Sequence, residues 1–293
     1  MEIDSGLLLK QRNRQEELCI EEIKELLNNS EVIKGVLQGN FQLDKFTGVR
    51  KLSFQLLEIS EIPFVFLLSE AQELLQQLID ATEIKEGYSL TKEANTVLAC
   101  HQANLILLMI RSGKKALAEK GVQWILKYQT TQRGEHCSWH GCDLFERFGG
   151  CIGKTPCYDG LVKSMKALSE YKRAFGATKD IEEKLANGLK YILEHQVIYH
   201  AQSQEILYPD LVKLFYPYPY PYRTNIIEAL KLLKDEGYWD DKRLEAAKKM
   251  LLQKRTKDGY KVDKVFMKSS WYPFDEPKKI GLWLTDEIDQ LFL

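Results

Sequence analysis

Three stretches of the sequence share one pattern: Glu119-Lys-Gly-Val-Gln-Trp-Ile-Leu-Lys-Tyr-Gln129, Ala186-Asn-Gly-Leu-Lys-Tyr-Ile-Leu-Glu-His-Gln196 and Glu245-Ala-Ala-Lys-Lys-Met-Leu-Leu-Gln-Lys-Arg255. In each stretch apolar residues recur at helical spacing, and Lys, Glu or Gln fill positions between them. This pattern predicts an amphipathic helix with one packed face and one exposed face. Because the stretch occurs three times in phase, it indicates a repeat architecture.

A more apolar helix is predicted before each of these stretches, at Ala103–Ile110, Leu161–Leu168 and Ile226–Leu233. When Leu108, Leu168 and Leu230 are placed in register, the copies lie 60 and 62 residues apart. We therefore expect pairs of helices, an inner helix covered on most sides and an outer helix that is half exposed, with the three leucines fully buried. Such pairs occur in α/α barrels and in α-solenoids, and periodicity alone does not separate the two.

The connections between an outer helix and the next inner helix are long, at Thr130–Thr155 and Val197–Arg223. Structureless loops of about 25 residues are uncommon in compact domains and are usually functional. Since both follow outer helices, we expect them to gather at one end of a barrel, its mouth. The repeats begin near residue 93, which divides the chain into an N-terminal helical region, 1–92, continuous with a repeat region, 93–293. Within the first region, the glycines at 35, 39 and 48 predict a loop.

Composition excludes several classes of protein. The chain has 293 residues, 44% of them hydrophobic, and 41 Lys+Arg against 42 Asp+Glu give a net charge of -1. These values exclude a disordered chain and argue against a nucleic-acid partner. The longest aliphatic run, Leu105–Ile110, is too short to cross a bilayer, and the N-terminus carries no signal-peptide pattern. We therefore expect a cytoplasmic protein with no transmembrane segment; its oligomeric state is left open.

The strongest chemical signal is a cluster of thiols and imidazoles between residues 135 and 160. Its candidate metal ligands are Cys137, His140, Cys142, Cys151 and Cys157. Zinc prefers four nitrogen or sulfur ligands, or three and an open position in a catalytic site, so the cluster predicts a zinc site. Cys157 follows Pro156 at a predicted helix start, where the helix dipole favours a thiolate. Two alternatives stay open, namely cysteines that serve as small core residues and a redox pair of Cys151 with Cys157.

Aromatic residues supply candidates for a substrate cavity at the mouth. They are Trp139, Tyr158, Tyr216, Tyr218, Tyr220, Tyr222 and Trp271. The Tyr-Pro alternation from residue 216 to 222 predicts a stiff, polyproline-like loop, which could instead be a rigid connector on the rim. His195, at the end of the second outer stretch, is expected to be exposed.

The outer stretches resemble the QW repeat of terpenoid cyclases and of protein prenyltransferase β-subunits. The first copy, Lys120 to Gln129 with Arg133-Gly134 after it, follows the pattern basic–small–x–x–aromatic–Leu–x–x–x–Gln–…–Gly. The copy at 187–196 lacks the trailing Gly, and Ala247-Lys-Lys-Met-Leu-Leu-Gln253 with Asp258-Gly259-Tyr260 is a degenerate third copy. The resemblance implies an all-α protein with an α/α toroid, a partial or complete barrel of helix pairs, preceded by an N-terminal helical extension.

The catalytic motifs of these families are absent. No Asp-x-Asp-Asp string occurs, and no Asp-x-Cys pair occurs, although Glu135-His-Cys137 has that shape with Glu for Asp. Whether the chain is an enzyme is therefore open. One hypothesis is an enzyme acting on an isoprenoid or other apolar substrate, with a zinc-held thiolate or water and with Asp159 or Glu135 as acid or base. The alternative is a non-catalytic toroid that binds a small apolar molecule or a peptide, with structural zinc or no metal. Thiolate chemistry of the lanthipeptide-cyclase kind is a third hypothesis, although the outer-helix signature of that family does not match.

Overall fold

The fold is seen in a computed structural model, which describes residues 3–135, 137, 139, 155–215, 223–263 and 274–293. These residues form an all-α structure. The α-helices are α1 Ser5–Arg12, α2 Ile20–Asn29, α3 Glu31–Leu37, α4 Phe46–Ile59, α5 Ser69–Thr82, α6 Ala99–Arg111, α7 Lys115–Tyr128, α8 Tyr158–Phe175, α9 Lys179–Glu194, α10 Ile226–Asp235, α11 Glu245–Gln253 and α12 Leu282–Phe292. Short 3-10 helices lie at Val65–Leu67, Ala94–Thr96, Pro209–Val212 and Lys242–Leu244.

The predicted helix pairs are confirmed. The inner stretches form α6, α8 and α10, and the outer stretches form α7, α9 and α11. Leu108, Leu168 and Leu230 each have none of their surface exposed, as the register requires. The residues of α6 from 100 to 110 are all buried, whereas α9 alternates buried and exposed faces. An inner helix covered on most sides and a half-exposed outer helix are therefore both present.

The helices pack in two rows. The inner row runs α4, α6, α8, α10 and α12, each in contact with the next, and the outer helices α5, α7, α9 and α11 pack on α4, α6, α8 and α10 respectively. The small residues of the QW-like pattern lie at these inner–outer contacts. A Cβ on Gly121 would lie 2.4 Å from Cγ1 of Ile106, and a Cβ on Gly188 would lie 2.1 Å from Sδ of Met165. Glycine at these positions lets the outer helix approach the inner one closely.

Two short antiparallel hairpins fasten outer helices to the inner helices that follow. They are β1 Glu83–Ile84 with β2 Gly87–Tyr88, and β3 Arg255–Thr256 with β4 Gly259–Tyr260. The Tyr88 N–H donates to Oε1 of Gln102 on α6, and the Tyr260 N–H donates to Oγ1 of Thr285 on α12, both at 2.9 Å. The pair α4–α5 is thus joined to α6 in the same way as the pair α10–α11 is joined to α12. The repeat therefore includes α4 and α5, although it is recognisable in the sequence only from residue 93.

The first and last helices are in contact. The Lys10 Nζ lies 2.5 Å from Oε2 of Glu287, which has 2% of its side chain exposed, and the Arg14 guanidinium pairs with Asp286 at 2.5 Å. Lys10 in α1 and Arg14, two residues after the end of α1, therefore both form ion pairs with α12. The division at residue 92 is not tested by these contacts and stays a prediction.

The loop predicted around the glycines at 35, 39 and 48 is wrong in its extent. Gly35 lies inside α3 and Gly48 lies in the first turn of α4, so only the residues between these helices are irregular. Gly48 is needed for packing, because a Cβ there would lie 2.0 Å from the carbonyl oxygen of Gln42. Among the residues that the structure describes, we find no helix with both the length and the apolar character needed to cross a membrane.

Candidate functional site

The starts of three inner helices lie side by side. A Cβ on Gly160, in the first turn of α8, would lie 3.0 Å from Cβ of Ala99, the first residue of α6. The Thr224 N–H, just before α10, donates to Oδ1 of Asp159 at 2.7 Å. Side chains at the beginnings of α6, α8 and α10 therefore share one end of the inner row. We call the group formed by Cys100, Cys157, Asp159, Tyr208 and Thr224 the helix-start cluster.

Asp159 is the centre of this cluster. Its Oδ1 accepts from the Tyr208 hydroxyl at 2.5 Å and from the Thr224 N–H at 2.7 Å. Burial raises the pKa of Asp159, and the two hydrogen bonds and the charge of Lys163 only partly offset that effect. Burial and the neighbouring Asp159 carboxylate likewise raise the pKa of Tyr208. The pair therefore keeps its protons to higher pH than an exposed aspartate and tyrosine would.

Two thiols adjoin this carboxyl group. Cys157 caps the start of α8 and is half-buried, and Cys100, in the first turn of α6, is 6% exposed. Burial raises the pKa of Cys100, and the nearby Cys157 and Asp159 raise it further. Cys100 is therefore a neutral thiol at physiological pH. Cys100 was not among the predicted site residues, but its place near the start of an inner helix, like that of Cys157, was a signal that the two lie close together.

A line of charged side chains continues inward from Asp159. Asp159, Lys163, Lys166 and Glu170 follow one another at intervals of four, three and four residues, so they occupy one face of α8. We call these four residues the buried stripe. Two residues of the stripe are almost completely covered. Lys163 has 0% of its surface exposed and Lys166 has 6%.

Each charge of the buried stripe has a partner on another element. Lys163 Nζ lies 3.1 Å from Oε2 of Glu228, whose side chain is also fully buried. Lys166 Nζ lies 3.3 Å from Oε1 of Glu61 and 3.7 Å from Oε1 of Glu228. Burial lowers the pKa of Lys163, and the Glu228 carboxylate opposes that change. Buried charges of this kind are tolerated only when they are paired in this way.

The far end of the stripe is closed by Arg111, the last residue of α6. Its guanidinium donates to both carboxylate oxygens of Glu170, at 2.8 and 3.0 Å, and to the Ser60 hydroxyl at 2.7 Å. It also lies 2.9 Å from Glu61. Burial alone would raise the pKa of Glu61, but Arg111 and Lys166 hold that pKa well below its usual range. Ion pairs thus run without a break from Lys163 through Lys166 to Arg111. Thr224 connects Asp159 to them, because its N–H donates to Asp159 and its hydroxyl donates to Glu228.

Three of the residues predicted for the site have structural contacts. The Glu135 carboxylate accepts from the backbone N–H groups of Thr131 and Gln132, at 3.0 and 3.1 Å, and so closes a turn after α7. The Tyr158 hydroxyl donates to the carbonyl oxygen of Val197. The third of these residues is Trp139.

Trp139 lies beneath the surface against α7. Its indole N–H donates to the carbonyl oxygen of Ala94 at 2.8 Å, and its ring packs edge-on against Tyr128 and Trp124, with centroids 4.7 and 5.7 Å apart. Trp124 is the aromatic residue of the first QW-like copy. The segment after α7 is therefore anchored on the outer helix through an aromatic cluster.

The predicted ligand set falls mainly outside the described residues. His140, Cys142, Cys151, Tyr216, Tyr218, Tyr220, Tyr222 and Trp271 are the predicted site residues that lie there. Of the thiols, Cys137 is half-buried and burial raises its pKa, while Cys157 caps α8. Within the described ranges, no three His, Cys, Asp or Glu side chains are grouped so as to hold a metal ion. The zinc site stays a prediction.

The expectation that His195 is exposed is wrong. Only 2% of His195 is exposed, because α9 ends at this residue and the ring folds inward against Tyr158 and Tyr191, with centroids 5.8 and 4.7 Å apart. Its Nδ1 lies 2.7 Å from the carbonyl oxygen of Tyr199. Burial lowers the pKa of His195, so the ring is neutral at physiological pH.

Comparisons with known proteins add no relative. No protein-family model matches the chain, and no curated protein or solved structure matches it either. What the site can do is therefore inferred from the contacts and charges of its own residues. Of these, Asp159 and Cys157 were predicted from the sequence, whereas Tyr208 and the partners of the buried stripe were not. The interval of charges along α8 was the available signal for the stripe.

Proposed function

We propose that the two rows of helices form an α/α toroid. The inner row from α4 to α12, the outer helix packed on each earlier member, and the ion pairs between α12 and α1 support a ring whose ends meet. The resemblance of the outer helices to QW repeats supports the same arrangement. In such a ring the helix-start cluster lies at one mouth, and the buried stripe and its partners occupy the centre.

Within this toroid, we propose an enzyme that acts at the helix-start cluster on an isoprenoid or other apolar substrate. The observation that carries the proposal is Asp159, a half-buried carboxyl group whose pKa is raised by burial, as suits a residue that donates a proton. The paired charges of the buried stripe fill the centre of the toroid. An apolar substrate would therefore lie across the mouth of the toroid and not along its central axis. Cys157 stands beside Asp159 as a second reactive group.

Zinc is part of this proposal. Thiolate and imidazole are ligands that zinc favours, and Cys137 and Cys157 are the two described members of a donor set completed by His140, Cys142 and Cys151. A bound zinc ion would supply a polarising charge or an activated thiolate. We expect about one zinc per chain in purified protein, lost in Cys157→Ala and kept in Cys19→Ala, since Cys19 is exposed on a distant helix cap. Elemental analysis that finds the same zinc content in both variants would overturn this ligand set.

The enzymatic proposal is tested with chemically defined substrates. The protein is incubated with geranyl diphosphate, farnesyl diphosphate and squalene, and products are identified by mass spectrometry. Asp159→Asn is expected to abolish turnover, because the amide does not donate the acidic proton. Glu135→Gln is the matched control and is expected to retain most of it, since Glu135 holds a turn. Equal turnover in Asp159→Asn and the wild type would exclude Asp159 as the acid.

A second candidate function is a non-catalytic toroid that binds a small apolar molecule or a peptide. It is favoured by the mutual pairing of the charges in the buried stripe and by the structural contacts of Glu135 and Tyr158. Saturable binding of an isoprenoid without any product would support this alternative. For either function we propose a cytoplasmic location, in keeping with the thiol state of Cys19, Cys100 and Cys137.

A further inference from the structure

The last helix of the inner row, α12, has no outer helix packed on it among the described residues. The outer helices α5, α7, α9 and α11 pack on α4, α6, α8 and α10, and α2 packs on α1. The packing partners of α12 are instead α10 and β4, and ion pairs with Lys10 and Arg14 join it to the N-terminal segment. Within the described chain, the outward face of α12 is therefore left unpartnered.

A groove of about 570 Å³ follows this face, between α12 and the segment that contains α1. It extends from Leu282 to Phe292, the first and last residues of α12, so it is as long as the helix, about 16 Å at the usual helical rise. The apolar residues that line it are Ile3, Leu7, Leu282, Phe292 and Leu293. Ile3 and Leu293 are exposed, so the groove presents apolar surface to water.

The charged residues that line the groove are all acidic, namely Asp258, Asp286 and Asp289. Asp286 pairs with Arg14 and Asp289 pairs with Arg255, and neither arginine belongs to the lining of the groove. Asp258 is exposed in the turn between β3 and β4. A molecule that enters the groove therefore meets carboxylates, which favours a partner with basic side chains.

We propose that this groove binds an amphipathic helix of another protein, which lies on α12 in the outer position and carries lysine or arginine beside its apolar stripe. A helix is the favoured occupant because each inner helix from α4 to α10 is covered by an outer helix in the same way. The apolar stripe contacts Leu282 and Phe292, and the basic side chains pair with the aspartates.

The architecture also indicates the source of this helix. The outer helices of a second copy of the chain are already packed on their own inner helices, so they are not free to enter the groove. We therefore assign the helix to a different protein. The groove shares no residue with the helix-start cluster, so the proposal does not depend on an enzymatic activity.

Two outer helices of this chain supply matched probes. Synthetic peptides with capped ends reproduce α7, Lys115–Tyr128, and α5, Ser69–Thr82, each of 14 residues. The α7 peptide has three lysines and one glutamate, for a net charge of +2, whereas the α5 peptide has two glutamates and one aspartate, for a net charge of -3. Each peptide is labelled with tetramethylrhodamine and titrated with the full chain while its fluorescence anisotropy is measured. We expect saturable binding of the α7 peptide, at least about 10-fold tighter than that of the α5 peptide, and a gain of helix in difference circular dichroism.

Variants of the groove test where the peptide binds. The double variant Asp258→Lys with Asp289→Lys is expected to weaken binding of the α7 peptide by at least about 10-fold. Its matched control is Glu73→Lys with Glu119→Lys, which makes the same change of net charge at exposed positions on α5 and α7 and is expected to weaken binding by less than about 3-fold. If the groove variant does not fold, Ile3→Glu places a charge on the apolar wall at an exposed position before α1, and it is also expected to weaken binding.

Three results would overturn the proposal: no saturable binding of the α7 peptide, binding no tighter than that of the α5 peptide, or equal binding by the groove variants and the control. A groove filled by a segment of the same chain gives the first of these results. Sedimentation velocity of the chain alone reveals a second copy as the occupant, since a dimer that dissociates in Ile3→Glu would also overturn the proposal. None of these measurements involves turnover, so this proposal and the enzymatic one fail separately.

Discussion

Glu287→Gln provides a quantitative test of the contact between the first and last helices. Glu287, on α12, has 2% of its side chain exposed, and it lies 2.5 Å from Lys10 of α1 and 3.4 Å from Lys231 of α10. The amide retains the shape of the side chain and removes its charge. The two lysines then lose the charge of this buried carboxylate.

The expected loss of stability follows from the pKa of Glu287. Burial alone would raise that pKa, but Lys10 and Lys231 lower it from 4.5 to about 2. A difference of about 2.5 pKa units corresponds to about 3 kcal/mol of preference for the ionised form in the folded protein. We therefore expect Glu287→Gln to lower the free energy of unfolding by about 3 kcal/mol at pH 7.

The pH dependence has a definite sign. Because the pKa of Glu287 is depressed on folding, its contribution is fully present above pH 4.5 and is lost as the pH falls toward 2. The wild type is therefore expected to lose stability over that interval, and Glu287→Gln to lose less, so that the two proteins converge in acid. Urea denaturation at pH 7, 5 and 3 measures the difference.

The control for this experiment is Glu276→Gln. Glu276 pairs with Lys279 at 2.5 Å, but 53% of its side chain is exposed, so its removal is expected to change stability by less than about 1 kcal/mol. If Glu287→Gln costs no more than this control at pH 7, or if its effect is the same at pH 7 and pH 3, the buried ion pair between α1 and α12 does not supply the expected stabilisation.

Three further predictions concern the helix pairs. Leu168→Ala is expected to lower the free energy of unfolding by roughly 2–5 kcal/mol, whereas Leu252→Ala, at a position with 49% exposure, is expected to change it by about 0.5 kcal/mol or less in urea denaturation. Gly188→Ala is expected to cost about 1–3 kcal/mol, because its Cβ would overlap Met165; the double variant with Met165→Ala is expected to cost less than the sum of the two single changes, and strict additivity would contradict the contact. Far-UV circular dichroism is expected to show helix well above the roughly one-third of an average domain, and a spectrum with substantial β-structure would contradict the fold.

The helix pairs were predictable because their signal is local. Apolar residues at helical spacing locate α6, α8 and α10, although α8 continues past the predicted stretch to Phe175. The register of Leu168 identifies a fully buried position. The small residue of the QW-like pattern also has a direct physical meaning, since Gly188 allows α9 to approach α8. Each of these features depends on residues close together in the chain.

The interior charges were not predictable in the same way. Lysine side chains are usually exposed, so the sequence pattern predicts Lys163 and Lys166 on the surface. Both are instead buried on α8. Their partner Glu228 lies 65 residues beyond Lys163 in the sequence, so only the packing of α8 against α10 brings them together. Tyr208 was missed for the same reason, because its connection reaches Asp159 only after the chain has folded.

The buried stripe and its partners lower the heat capacity change of unfolding below that of an apolar interior of equal area. Exposing polar surface to water decreases the heat capacity, whereas exposing apolar surface increases it. The free energy of unfolding therefore varies less steeply with temperature than it would if the network from Asp159 to Arg111 were replaced by leucines. The cost of removing charges such as Lys163 and Glu228 from water also falls on heating, so these pairs contribute more favourably at high temperature than at 25 °C. Calorimetry of a variant with an apolar pair at positions 163 and 228 is expected to show a larger heat capacity change and a more sharply curved stability profile.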